Sequence, residues 1–179
     1  MNDLILIALS AEAPDLARLP HVFETGVGKV NAALTAARLI ERHKPKRIWN
    51  FGTAGGISVG SGLHYCTRFL QRDMIVTALG FRPGQTPYEE NISIELGQNG
   101  LTCSSGDSFV TSSELELPAD LVDMEAYALA KACLVTKTEF HCYKFISDRA
   151  DEASDTDWRS NIHRGEPLYI DLLRSYKII

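Results

Sequence analysis

Three short apolar runs set most of what this chain can become. DLILIAL at 3–9, RIWNF at 47–51 and FHCYKFIS at 140–147 are each followed by polar or glycine-rich residues. Runs of this length suit strands buried on both faces of a sheet. Segments of helical periodicity lie between them. Residues 29–43 place Val30, Ala33, Leu34, Ala37 and Ile40 at helical spacing and stop at Lys44-Pro45. A second helix is expected over 118–134, with Pro118 in its first turn, where the missing N–H costs nothing. A third is expected within 158–175, after a turn in the acidic stretch 148–157. Shorter strand candidates are 74–79 and 101–103, and 80–89 is a Gly- and Pro-rich loop. Strands alternating with helices predict one α/β domain over residues 1–179. It would be a three-layer αβα arrangement around a central, mostly parallel (mixed) sheet.

Composition narrows the function. A chain of 179 residues is one domain's worth, able to bury roughly two-thirds of its unfolded surface. The net charge of −5 leaves no basic footprint for nucleic acid, so a small-molecule substrate is expected. Cys66, Cys103, Cys133 and Cys142 are scattered without metal spacing and read as reduced, buried thiols. His21, His43, His64, His141 and His163 form no ligand spacing either, so no metal or cofactor is expected. The first residues, MNDLILIAL, have no basic region and only a short apolar run. They fit neither a signal peptide nor a membrane span, and the expected location is the cytoplasm, away from any membrane.

Four segments offer chemistry. ETGVGKVNAA at 24–33 sets glycines before a helix, where backbone N–H groups can approach a ligand closely. It is no phosphate-binding P-loop, because position 23 is Phe and Val30 follows Lys29. NFGTAGG at 50–56 follows a strand and offers Thr53, Ala54 and Gly55 as a cradle for a polar ligand. The bland alternative for both is a tight packing turn. In DMEAYALAKA at 123–132, Asp123 and Glu125 would sit about 200° apart on a helix, one outward and one inward. A carboxylate there can grip a sugar diol by accepting two hydrogen bonds, but read alone Glu125 fits a solvated acid on the exposed stripe better. FISDRAD at 145–151 puts Asp148 at a strand end, where an acid partly withdrawn from water suits proton donation; a loop or capping Asp is the alternative. Glu12, after the first run, is either a base at a strand end or an early helix acid.

The order of these segments says more than any one of them. Glu12, GVGKVNAA, NFGTAGG, SGDSFV, DMEAYALA and ISDRAD together resemble the nucleoside phosphorylase/nucleosidase superfamily. The nearest branch is similar to the methylthioadenosine/S-adenosylhomocysteine nucleosidases, and VTALGFRPGQTP at 76–87 resembles a stretch of that branch. The resemblance implies a purine nucleosidase. Asp148 would protonate the purine at N7, with Ser147 steadying it. Glu12 would deprotonate the attacking water, with Thr53 near the nucleophile. Glu125 would hold the ribose hydroxyls, Met124 would pack on the sugar, Phe109 would stack on the base, and the Val110 backbone would read its edge. Cleavage through an oxocarbenium-like sugar needs this acid and this base. A homodimer is implied, with the partner completing the pocket for the 5′ substituent.

The chain also departs from that pattern. Only thirteen residues separate Glu12 from Gly26, so a β-hairpin of the usual fold is expected to be missing. The span from Gln85 to Gly106 is short as well. Lys144 stands where the nucleosidases usually carry Arg, which bears on how water or an anion is placed. Two alternatives follow: a phosphate-dependent phosphorylase, and a trimmed relative that binds a nucleoside without turnover. No Gly-x-x-x-Arg phosphate loop is evident, and Glu12 would repel phosphate.

Overall fold

The computed structural model describes residues 3–112 and 115–179. Eight strands form one sheet: β1 (Asp3–Ile7), β2 (Val22–Glu24), β3 (Arg47–Gly56), β4 (Leu63–Gln71), β5 (Ser93–Glu95), β6 (Leu101–Ser105), β7 (Leu121–Asp123) and β8 (Glu139–Asp148). Helices α1 (Lys29–His43), α2 (Ala126–Thr136), α3 (Ser154–Asn161) and α4 (Glu166–Ser175) pack around it. The sheet is mixed, as expected, with five parallel and three antiparallel strand pairings. The difference is closure: β3 pairs β8, β8 pairs β4, β4 pairs β6, β6 pairs β7, and β7 returns to β3. A five-strand ring therefore replaces an open central sheet. Short antiparallel contacts, Gly55 with Val122 and Gly56 with Leu121, make the closure.

β3 holds the centre because it is buried almost throughout and pairs with β1, β7 and β8. Its alternation divides the core. Leu4, Leu6 and Ile48 face Ala32, Ala36 and Ile40 of α1 and Leu129 and Cys133 of α2. Ile5, Ile7, Trp49 and Phe51 face Tyr169 and Leu173 of α4. Each large apolar side chain buried this way contributes about 1.5–3 kcal/mol. All four cysteines are free and buried.

Helix α1 has the predicted bounds but a rotated face. Small Ala32 and Ala36 are buried, whereas Val30 is 77% exposed and Leu34 57% exposed. Apolar spacing marked a helix here, but packing beside α2 favoured the alanines. The expected helix 118–134 is a strand followed by a helix. Leu121–Asp123 pairs with β6 and β3, and α2 starts only at Ala126. Residues 74–79 hold a short 3-10 turn at Thr77–Leu79 in place of a strand. Two helices, α3 and α4, occupy the region where one was expected. The short span after Glu12 contains the 3-10 turn Leu16–Arg18 and then β2, a parallel edge strand beside β1, with no hairpin.

Candidate active site

Strands β1, β2, β3 and β8 run one way, and β4, β6 and β7 run the other. The ends of the two blocks overlap where β3 meets β7, and a cavity of about 230 Å³ opens there. Ligands in α/β proteins favour the carboxyl ends of strands, and both blocks present such ends here. Ala8, Leu9, Glu12, Thr53, Ala54, Gly55 and Asp148 line the cavity from the first block. Ser108, Phe109, Val110, Val122, Asp123, Met124 and Glu125 line it from the second, with Arg72 at the end of β4. Val27 and Trp158 complete the wall.

Glu12 ends a 3-10 turn after β1 and is only 3% exposed. Burial of a carboxylate demands donors, and four are supplied. Oε2 accepts from the backbone N–H groups of Ala8 (3.2 Å) and Leu9 (3.1 Å). Oε1 accepts from the Thr53 N–H (2.7 Å) and the Thr53 hydroxyl (2.8 Å). Gly52 leaves the room for this: a Cβ there would stand 3.3 Å from Glu12 Oε1 and 3.2 Å from Lys144 Nζ.

Asp148 is positioned by a bulge. Ala54 pairs with Ile146 and Gly55 with Asp148, so Ser147 is the extra residue on β8. Bulges of this kind re-aim side chains. The Ser147 hydroxyl donates to Asp148 Oδ2 (2.8 Å), and the Ala150 N–H donates to Oδ1 (3.0 Å). A Cβ on Gly55 would lie 2.8 Å from Asp148 Oδ1, so only glycine allows the carboxyl to lie against β3.

Asp123 and Glu125 are both buried, which corrects the expected inward–outward split. Asp123 belongs to a strand and Glu125 to the residue capping α2, so the helical wheel does not apply. Asp123 Oδ2 lies 2.9 Å from Lys144 Nζ and accepts from the Ala126 N–H (2.8 Å), while Oδ1 accepts from the Ser105 hydroxyl (2.5 Å). Burial alone would raise the Asp123 carboxyl, but the Lys144 ammonium outweighs it and holds the group at about 2. Burial would likewise lower Lys144, and the Asp123 charge keeps it well above the ordinary lysine value. Glu125 accepts from the Gly28 N–H (2.9 Å), at a glycine with φ of 91°. Burial, reinforced by the neighbouring Asp123 charge, pushes Glu125 up to about 7.

The loop after β6 is tied down by two cations. Arg72 donates to the carbonyls of Ser104, Asp123, Gly106 and Ser108. Lys29 bridges Asp73 (2.6 Å) and Asp107 (2.9 Å). Lys144 and Ser147 do not line the cavity; they support Asp123 and Asp148 from behind. Sequence reasoning missed Arg72, Trp158 and the lining role of Asp123. Arg72 follows a strand, β4, that no apolar run announces, and Trp158 stands just after the acidic stretch 148–157, at the start of the region where a helix was expected, so no local signal marked either as facing a cavity.

Residues 16–172 match the family model of the phosphorylase superfamily. A 5′-methylthioadenosine/S-adenosylhomocysteine nucleosidase of Bacillus velezensis is 34% identical over 167 residues, covering 76% of this chain and 71% of the relative. An MTAN mutant of Helicobacter pylori, solved with 5′-methylthioadenosine in its active site, superposes with a TM-score of 0.87 at 21% identity, covering 97% of this chain and 96% of that one. A futalosine hydrolase mutant of Helicobacter pylori superposes with a TM-score of 0.84 at 20% identity, covering 93% and 94%.

Proposed function

The chain belongs to the phosphorylase superfamily, and from that premise we propose that it is a purine nucleosidase, hydrolysing the N-glycosidic bond of a purine nucleoside or thionucleoside. The observation that carries this reading is that Glu12, Glu125 and Asp148 line one cavity on separate supports. Asp148 gives a proton to purine N7 as the C1′–N9 bond breaks and its electron pair passes to the base. Water attacks C1′ of the oxocarbenium-like sugar, and Glu12 takes the water's proton. Glu125 holds the ribose hydroxyls and Met124 packs on the sugar. Phe109 stacks on the base, whose edge meets the Val110 backbone. Ala54 and Gly55 form the floor beside Thr53. Ser147 steadies the acid, and Lys144 acts through Asp123.

Hydrolysis is favoured over phosphorolysis because Arg72, the one cation among the described lining residues, already donates to four backbone carbonyls. We read the chain as one domain of three layers around the closed sheet. No helix of the described residues is long and apolar enough to cross a membrane. We take it to be a cytoplasmic enzyme acting on a small molecule and not on nucleic acid, for which a net charge of −5 leaves no basic footprint. The homodimer implied by the resemblance is supported by the exposed stripe Val27, Val30 and Leu34, which begins at the cavity wall.

The test is free-base release from 5′-methylthioadenosine, S-adenosylhomocysteine, adenosine, inosine and futalosine, with and without phosphate. Release without phosphate is expected, and Asp148→Asn should lower kcat by about 10²-fold or more. Strict phosphate dependence would make the chain a phosphorylase, and tight binding without release would make it a binding relative.

A further inference from the structure

We infer that Trp158 is a positioning residue of the hydrolytic reaction, acting through its indole N–H on Thr53 and thereby on the water that Glu12 activates. The inference rests on the nucleosidase reading above. Its ground is a hydrogen-bond count at one oxygen. A threonine hydroxyl has one proton and two lone pairs, and an indole nitrogen only donates. Trp158 Nε1 lies 2.9 Å from Thr53 Oγ1, so the direction of that bond is forced and one lone pair is used. Glu12 Oε1 lies 2.8 Å away on the other side and receives the hydroxyl proton. One lone pair of Thr53 remains. A water that donates one hydrogen to that lone pair and the other to Glu12 Oε2, the oxygen held only by the longer Ala8 and Leu9 contacts (3.2 and 3.1 Å), keeps its own lone pair for the sugar. Without the indole N–H, Thr53 has two open lone pairs, and the water loses a unique orientation.

The placement of Trp158 supports this role. Asn161, on the same face of α3 one turn later, donates its side-chain amide to the Ser147 carbonyl (2.7 Å). The Ser147 hydroxyl in turn donates to Asp148. Helix α3 therefore bonds to the strand holding the proton donor through Asn161, and to the strand holding the nucleophile side through Trp158. Its start is fixed as well, because Ser154 is fully buried and its hydroxyl accepts from the Asp151 N–H (2.7 Å). One short helix thus sets the register between the two halves of the reaction. Because Trp158 also lines the cavity, its ring serves as wall while its nitrogen sets the Thr53 hydroxyl.

The test is a double-mutant cycle on Trp158→Phe and Thr53→Val, with steady-state kinetics on the best nucleoside and thermal melts of each variant. Phe keeps an aromatic wall and removes only the N–H. With unchanged folding, Trp158→Phe is expected to lower kcat about tenfold, the loss of one neutral hydrogen bond, with KM little altered. In the Thr53→Val background the same substitution should cost nothing further. Two multiplying losses, or a loss confined to KM, would overturn the proposal and leave Trp158 a wall residue. A second readout needs no turnover: the Trp158 indole N–H resonance in a ¹⁵N spectrum should shift upon Thr53→Val. An unmoved resonance would overturn the proposal even if the enzyme is active. A shifted resonance in a protein that releases no base would uphold the contact and sink the nucleosidase reading instead.

Discussion

At the scale of the residue, the site is built from glycines as much as from acids. Gly55 gives the Asp148 carboxyl its place, with no space for a Cβ. Gly55→Ala should displace the acid and lower kcat about 10²-fold, since an ångström of misplacement can cost that much. A melt beside the kinetics will show whether the fold survives. Glu125 makes a pH prediction. To grip a diol it must be ionised, and burial with the Asp123 charge has pushed it up to about 7. KM should therefore rise as pH falls through 7, approaching roughly tenfold per pH unit, and Glu125→Gln should flatten that dependence. The folded carboxyl lies above its ordinary 4.5, so the ligand-free protein binds the proton more tightly than the unfolded chain. This group's contribution to stability is thus largest below 4.5 and declines as pH rises through about 7. A flat KM profile across that range would remove Glu125 from diol binding.

At the scale of the element, the packing rules are simple and the boundaries are not. Helix α4 is held to the sheet by Tyr169 and Leu173, both fully buried against the β1–β3 face. Leu173→Ala should lower stability by about 2–5 kcal/mol in denaturant unfolding, with kcat little changed below the transition because Leu173 touches no part of the cavity. Helix α2 shows why a sequence window misjudged its start. Apolar Leu121 and Val122 sit equally well in a helix or a buried strand. Partners decided it, since Ser104 and Ser105 of β6 pair with Val122 and Asp123. The Asp123 carboxylate then satisfies the first N–H of α2 by accepting from Ala126. Pro118, where the sequence predicts a first helical turn, lies in the loop before β7.

At the scale of the whole molecule, two strand blocks of opposite direction close on each other, and the cavity is the gap between their carboxyl ends. Closure places Lys144 of β8 against Asp123 of β7, two strands that are not paired with each other, as a buried ion pair. The exposed stripe of α1 belongs to this scale too. If Val27, Val30 and Leu34 face a second copy, Val30→Asp with Leu34→Asp should convert a dimer to a monomer in sedimentation and weaken nucleoside binding at the adjoining cavity. A wild-type monomer at micromolar concentration would sink that expectation.

Residue by residue, what the sequence alone determined follows from local chemistry. β1, β3, β8 and the span of α1 were legible because burial and periodicity are written within a few residues. Glu12, Thr53, Glu125 and Asp148 were legible because each stands in a short motif, and the motif order is itself a linear signal. The tertiary structure alone decided which face of α1 is covered, that residues 121–123 form a strand, and that Asp123 is buried beside Lys144. It also brought Arg72 and Trp158 to the cavity. The reason is common to all of these: a helix face, a strand partner or a donor to Thr53 is chosen by groups tens of residues away. Trp158 and Thr53 are 105 positions apart, and their 2.9 Å contact exists only once β3 and α3 are folded onto one another.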